Sequence, residues 1–203
     1  SVVKIPDSLS DIEAATLPVA AITAWHAIRR SKVQKGETVL TETQTWTMTE
    51  DKGRYVLDLE WNGEAKTDVT FGKYDYGGLF VRMPWHEGIK GEVLNAARQK
   101  NEKAEGQRAM WVDISMEIAG RNDLAHIALF DHPKNRNYPT IWRVDGQLGA
   151  GPARARKEGW TIKKGETETI KHEILVYTGS LSDVEINKAF EKYTGDFSGY
   201  ATA

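Results

Sequence analysis

The sequence predicts a mainly β protein: an antiparallel β-sandwich with a helical appendage at its N-terminus. From residue 41 onward apolar side chains recur at every second position, as they do between Tyr55 and Trp61 and between Val112 and Ile118. This alternation is typical of strands that bury one face. Glycine and asparagine interrupt the runs at short intervals, for example at Asn62-Gly63, and so indicate short strands joined by turns rather than βαβ units.

The first forty residues have a different pattern. Ser8 to Asp11 offer helix caps, Pro18 interrupts the segment, and a second helix is expected from about Val19 to Ser31. Its apolar residues share one face, and they are Ala20, Ala21, Ala24, Trp25 and Ile28. We therefore expect two domains, a helical appendage over 1–40 and a sandwich over 41–203. The apolar face must be buried on the sandwich or on a second copy, and the second case predicts a homodimer.

Two later segments depart from the strand pattern. Residues 88–103 are rich in Ala, Lys, Gln and Glu, which predicts an exposed helix or a mobile loop. Residues 182–193 contain an apolar spacing that predicts a short C-terminal helix packed on the sandwich.

Composition excludes several classes of function. The hydrophobic content of 40% and charged content of 28% are those of a folded domain. A net charge of -2 and the lack of a basic block argue against a nucleic-acid partner. The absence of cysteine excludes disulfides and thiolate–metal sites, and it leaves cytoplasm and periplasm equally open. The longest apolar stretch, 14–28, is too short and too polar to cross a membrane.

Residues 5–40 resemble a fragment of the medium-chain dehydrogenase/quinone oxidoreductases. The similarity rests on AATLPVAAITAWHAI and KGETVL. In that family a GxGxxG turn follows, whereas TETQTWTMTEDKG follows Leu40 here. The glycines that would admit a dinucleotide pyrophosphate are missing, so the resemblance implies no nicotinamide site and we expect no cofactor.

Residues 41–193 resemble the C-terminal part of the bacterial family labelled methane oxygenase PmoA. The similarity rests on VLTETQTW, DVTFGKYDYGGLFVRM, IALFDHPKNRNYPTIWRVDG and WTIKKGETETIKHEILVYTG. This resemblance implies a mutarotase-like supersandwich, truncated here, and a sugar-processing function with a small-molecule or oligosaccharide ligand. The His-rich N-terminal part of that family has no counterpart in this chain.

The leading candidate site is the loop from Asp131 to Pro139. Two prolines and two asparagines after an apolar strand predict a loop of defined shape. His132 is the candidate general acid or base, with Asp131 as its catalytic partner. Asn135 and Arg136 are candidate ligands for sugar hydroxyls. The alternative is that Asp131 and His132 only cap backbone groups and hold the turn.

A second group of candidates lies around residue 82. Arg82, followed by Trp85 and His86, can form a platform on which a sugar ring stacks while the cation binds a carboxylate. Trp142 is a candidate for the same cavity, although a tryptophan at such a position is commonly part of the core. We expect His132 and Arg82 to face one pocket. Asp113, from its alternation, faces either solvent or the cavity, and we expect solvent.

Other kinds of site have little support. His126, His132 and His172 match no metal-ligand spacing, and we expect no metal. No GxSxG elbow, P-loop or EF-hand is present. Glu168 and Glu173 lie on a late strand, and the resemblance assigns them no role.

The competing functions are a sugar-processing enzyme using acid–base chemistry, a non-catalytic sugar-binding or structural sandwich, and an oxidoreductase.

Overall fold

The computed structural model describes residues 36–195, apart from the side chain of Asp51. The helices predicted between residues 11 and 31 lie outside this range. The chain divides into two units, Ser1–Val39 and Leu40–Ala203, and the following description concerns the second. No helix among the described residues is long and apolar enough to cross a membrane.

A six-stranded sheet forms the centre of this unit, with the strand order β1-β2-β11-β7-β6-β5. Its strands are β1 (Leu40–Asp51), β2 (Arg54–Ala65), β5 (Gly91–Asn95), β6 (Trp111–Glu117), β7 (Leu124–Asp131) and β11 (Thr167–Thr178). Every neighbouring pair is antiparallel. The prediction of a mainly β, antiparallel structure is therefore confirmed, and no parallel pair occurs between residues 36 and 195.

Two smaller antiparallel sheets complete the strand structure. One has the order β4-β9-β8 and the other pairs β10 with β3. The strands are β3 (Val69–Phe71), β4 (Val81–Arg82), β8 (Trp142–Asp145), β9 (Gly149–Pro152) and β10 (Trp160–Ile162). Gly151 permits the close approach of β4, because a Cβ there would lie 2.1 Å from the carbonyl oxygen of Leu79.

Each face of the six-stranded sheet is covered by a different element. Val112, Ile114 and Leu129 form a buried cluster with Val144 and Leu148, which belong to the three-stranded sheet and the turn beside it. The opposite face carries a second cluster, which is Trp111, Ala128, Phe130, Leu175, Tyr177, Ile186 and Phe190. The last two of these residues belong to the C-terminal helix. Side chains that alternate along one strand thus enter two separate cores.

The C-terminal helix α1 (Asp183–Thr194) confirms the prediction for residues 182–193. It begins with a capping box, in which Ser182 and Glu185 each accept from the backbone N–H of the other. The prediction for 88–103 was wrong. That segment holds strand β5 and a short 3-10 helix, Asn101–Lys103. Pairing with β6 over five residues decides its structure, which local composition does not reveal.

Candidate functional site

Asp131 ends β7 and organises the loop that follows. Its side chain is 1% exposed and accepts three hydrogen bonds, from the backbone N–H of His132 (3.0 Å), the backbone N–H of Thr140 (2.8 Å) and Nδ2 of Asn135 (2.7 Å). Burial raises the pKa of this carboxyl to about 6, against the lowering effect of these donors. Asp131 therefore holds the two ends of the loop together.

Asn135 joins the same loop to β11. Its Nδ2 donates to the carbonyl of Lys171 (2.6 Å) as well as to Asp131, and its Oδ1 accepts from the backbone N–H of Lys171 (2.8 Å). These contacts use both N–H groups of the amide and one of the two lone pairs of Oδ1, so the second lone pair of Oδ1 is what a ligand could reach without replacing a bond. Arg136, the candidate that follows Asn135, is exposed.

His132 is buried, with 7% exposure, and its ring packs edge-on against Tyr193 of α1 at 5.1 Å between centroids. Its Nδ1 accepts a hydrogen bond from the backbone N–H of Lys134 (3.0 Å). Burial, with the positive charges of Lys171 and Lys134, lowers the pKa of His132. The imidazole is therefore neutral near pH 7, and because Nδ1 is an acceptor, the proton lies on Nε2.

Tyr193 packs on His132 and also lies close enough to a pair of carboxyl groups on the sheet for their charges to act on it. The Tyr193 hydroxyl is buried and has no hydrogen-bond partner among residues 36–195. Burial, followed by the negative charge of Glu173, raises its pKa. Glu173 on β11 lies directly opposite Asp58 on β2. Burial, reinforced by a hydrogen bond and charge repulsion from Asp58, raises the pKa of Glu173 to about 8.

The carboxyl pair is one end of a longer row of polar side chains. Three successive cross-strand pairs of β2 and β11 point to the face on which α1 packs, and we call them the polar sheet face. They are Asp58–Glu173, Glu60–Lys171 and Asn62–Thr169. Lys171 Nζ is 2.7 Å from Glu60 Oε2, and Thr169 donates to Asn62 (2.6 Å). On β1 the row continues with threonines opposite these residues, Thr43, Thr45 and Thr47.

The sequence alone did not single out Asp58, Glu173 or Tyr193. Asp58 alternates with apolar residues on a predicted strand and so looked like an ordinary exposed side chain. Glu173 lies on a late predicted strand, and the sequence assigns it no role. The missing information was the neighbour relation between β2 and β11, because a strand pattern carries no record of which strand pairs with it.

Trp142 is fully buried, with 0% exposure, and its Nε1 donates to the carbonyl of Ala109 (2.8 Å). It belongs to the core cluster beneath the three-stranded sheet.

Arg82 forms an ion pair with Asp145, and His86 is exposed with its Nδ1 3.0 Å from the carbonyl of Glu87. No contact joins Arg82 to His132: their partners lie on opposite faces of the six-stranded sheet.

An open cleft of about 300 Å³ lies beside Arg82. Trp85, Ile89 and Leu148 supply apolar surface, and the acidic residues Glu102, Glu105 and Asp145 also line it. Neither Arg82 nor His86 is among the lining residues. The predicted platform at 82–86 therefore contributes its tryptophan to a cleft whose charged groups are carboxylates.

Asp113 was expected to face solvent, and this was wrong. It is 7% exposed, and its Oδ2 is 2.7 Å from Nδ1 of His126, whose ring stacks on Tyr177 at 4.5 Å. His126 and Tyr177 on the neighbouring strands cover Asp113, which the alternation along β6 does not reveal. His172 is also buried, which lowers its pKa to about 4. No group of three or more acidic or histidine side chains between residues 36 and 195 is arranged to hold a metal ion.

Comparison with known proteins corrects both resemblances. A model of a family of unknown function matches residues 12–191, and no match to the methane oxygenase PmoA family or to a dehydrogenase family supports the predicted relationships. The match begins inside the segment that we compared with dehydrogenases, so the motivation for an oxidoreductase is lost. No curated protein and no solved structure matches the chain. The chain belongs to the family of unknown function DUF6807.

Proposed function

We propose that this protein acts on a carbohydrate by acid–base chemistry at the polar sheet face. The observation that carries the proposal is the carboxyl pair of Glu173 and Asp58. Two carboxyl groups that face each other in a partly buried position do not both ionise near neutral pH, because the second charge would be repelled by the first. The pair then holds one proton and can supply both a general acid and a general base.

The groups around this pair suit a polyhydroxylated ligand. His132 offers an N–H donor at Nε2, and the Tyr193 hydroxyl has no partner among the described residues. The row of amide, hydroxyl, ammonium and carboxylate groups on β2 and β11 supplies alternating donors and acceptors along the sheet. In this arrangement Asp131 is a positioning residue, since its oxygens are occupied in holding the loop that carries His132.

The proposed reaction step is a proton transfer. The protonated carboxyl of the pair gives its proton to a sugar oxygen, and the ionised carboxyl accepts a proton from a hydroxyl, from a water molecule or from carbon. A positioned acid or base contributes about 10²–10⁴-fold to a rate. Because the pKa of Glu173 lies at about 8, the rate should fall above that pH, where the acid has lost its proton.

The test is a panel of mono- and oligosaccharides incubated with the protein and followed by proton NMR, which detects both bond cleavage and isomerisation. We expect conversion of at least one member, with a loss of about 10²-fold or more in Glu173→Gln and Asp58→Asn. Glu191→Gln, an exposed change of equal charge on α1, should convert at the parental rate. Equal rates in the parent and both site variants would refute the proposal.

A second function is favoured by the internal bonding of the loop. The Asp131 carboxyl and the Asn135 amide brace the loop and tie it to β11, as the capping alternative requires. The second candidate is therefore a non-catalytic sugar-binding or structural domain. It would bind a member of the panel with a saturable NMR shift change and leave it unaltered.

We also propose a finer architecture for the chain. Packing of the three-stranded sheet on one face of the larger sheet supports a sandwich-type domain over 41–203. The helical appendage over 1–40 stays a prediction from the sequence. A homodimer through the N-terminal helices remains a prediction, and sedimentation of the protein at micromolar concentration tests it.

A further inference from the structure

The cleft beside β8 has an uneven distribution of charge. No Lys, Arg or His is among the residues that line it, whereas three carboxylates are. Two of the three are neutralised, because Arg156 pairs with Glu105 and Arg82 pairs with Asp145. Glu102 makes no ion pair or side-chain hydrogen bond with any residue between 36 and 195. The cleft therefore carries one uncompensated negative charge.

The two neutralised carboxylates, Glu105 and Asp145, are held in place by backbone N–H groups. Glu105 Oε2 accepts from the N–H of Val144 (2.5 Å), and Asp145 Oδ1 accepts from the N–H groups of Gln147 and Gly149 (both 3.0 Å). Asn101, which precedes Glu102, has a left-handed backbone (φ 49°), and its Oδ1 accepts from the N–H of Val93 (2.9 Å). A strained residue held by a side-chain bond at the edge of a cavity indicates that the wall beside Glu102 has a defined shape.

Trp85 is the second feature that selects a ligand. It is 39% exposed and lines the cleft with Ile89 and Leu148. The face of an indole ring attracts a cation within about 6 Å of its centroid. Apolar surface, an aromatic ring and one free carboxylate together match an ammonium group carried on a small organic body.

The geometry points to a binding site for a small amine in this cleft, with the ammonium group between Trp85 and Glu102. The site lies on the opposite face of the six-stranded sheet from the polar sheet face and does not depend on the function proposed there. It also reverses the expectation from the sequence, in which Arg82 was to bind an acidic sugar. Arg82 is engaged by Asp145, so the cleft should repel a carboxylate ligand.

The test is isothermal titration at low ionic strength and about pH 6.5, where amines are protonated. Glucosamine and choline are the cationic probes, which separate an amino sugar from a general organic cation. N-acetylglucosamine and glucuronic acid are the neutral and anionic probes. We expect saturable heat from at least one cationic probe, none from the neutral or the anionic probe, and weaker binding when salt is added.

Two variants and a control locate the site. Glu102→Gln removes the free charge and should weaken binding of the cationic probe about five- to ten-fold. Trp85→Leu should weaken it by a similar factor. Glu191→Gln has the same change in net charge far from the cleft and should bind as the parent does. Equal binding of glucosamine and N-acetylglucosamine, binding of glucuronic acid, or no binding of either cation would overturn the inference.

Discussion

Replacing Glu173 by glutamine should flatten the pH dependence of stability and stabilise the protein in alkali. In the folded state the pKa of Glu173 is about 8, against an ordinary value of 4.5. The folded protein therefore holds this proton more tightly than the unfolded chain does, and stability falls as the pH rises through that interval. The stability lost is roughly 2–5 kcal/mol, with the upper figure set by the full shift in pKa. A glutamine amide can donate to Asp58 as the protonated acid does, and it has no proton to lose.

The measurement is urea unfolding of the parent, Glu173→Gln and Glu191→Gln at about pH 5, 7 and 9. The parent and the Glu173 variant should have similar stability at the lowest pH, and the variant should be the more stable at the highest. The Glu191 variant should follow the parent throughout. Taking differences removes the contribution of other titrating groups. If the difference in free energy of unfolding between the parent and Glu173→Gln is the same at all three pH values, the pKa of Glu173 is not raised in the folded protein and the reasoning is refuted.

The other predictions concern groups that hold the site in place. Asn135→Ala should lower the free energy of unfolding by about 2–4 kcal/mol, because it breaks the bonds between the loop and β11, whereas the exposed Asn122→Ala should change it by less than about 0.5 kcal/mol in the same urea titration. Trp142→Ala should lower the free energy of unfolding by about 3–5 kcal/mol, because it leaves a cavity in the core, and calorimetry should show this as a lower melting temperature. His172→Gln should reduce acid sensitivity. The folded pKa of His172 is about 4 against 6.5, so parental stability is present above the higher value and is lost as the pH falls toward the lower one.

The regular elements could largely be predicted from local pattern. Alternation between Tyr55 and Trp61 corresponds to β2, and alternation from Val112 corresponds to β6. The apolar spacing after Ser182 corresponds to α1. The failure at 88–103 has a specific cause: β5 is an edge strand whose residues are held by pairing with β6, and the residues that follow it are rich in Ala, Lys, Gln and Glu. Local propensity is a weak guide where pairing supplies the energy.

The candidate site was predicted in part. The loop after Phe130 is a shaped segment, as its prolines and asparagines indicated, and His132 is held in one position by it. Its environment was not predictable, because the ring packs on Tyr193 from a helix much later in the chain. Asp113 shows the same limit, since alternation told which residues share a face and did not tell what covers that face.

The sequence by itself determined that this is a mainly β chain without cysteine chemistry, with a terminal helix and without a glycine-rich dinucleotide turn. These properties depend on residue types and short periods, which neighbouring residues in the chain impose on one another. Only the tertiary structure decided that β11 lies between β2 and β7. That order places Glu173 opposite Asp58, and burial there holds its proton to about pH 8. The energy of a carboxyl group depends on solvent and on charges within a few ångströms, and the chain acquires those neighbours only when it folds.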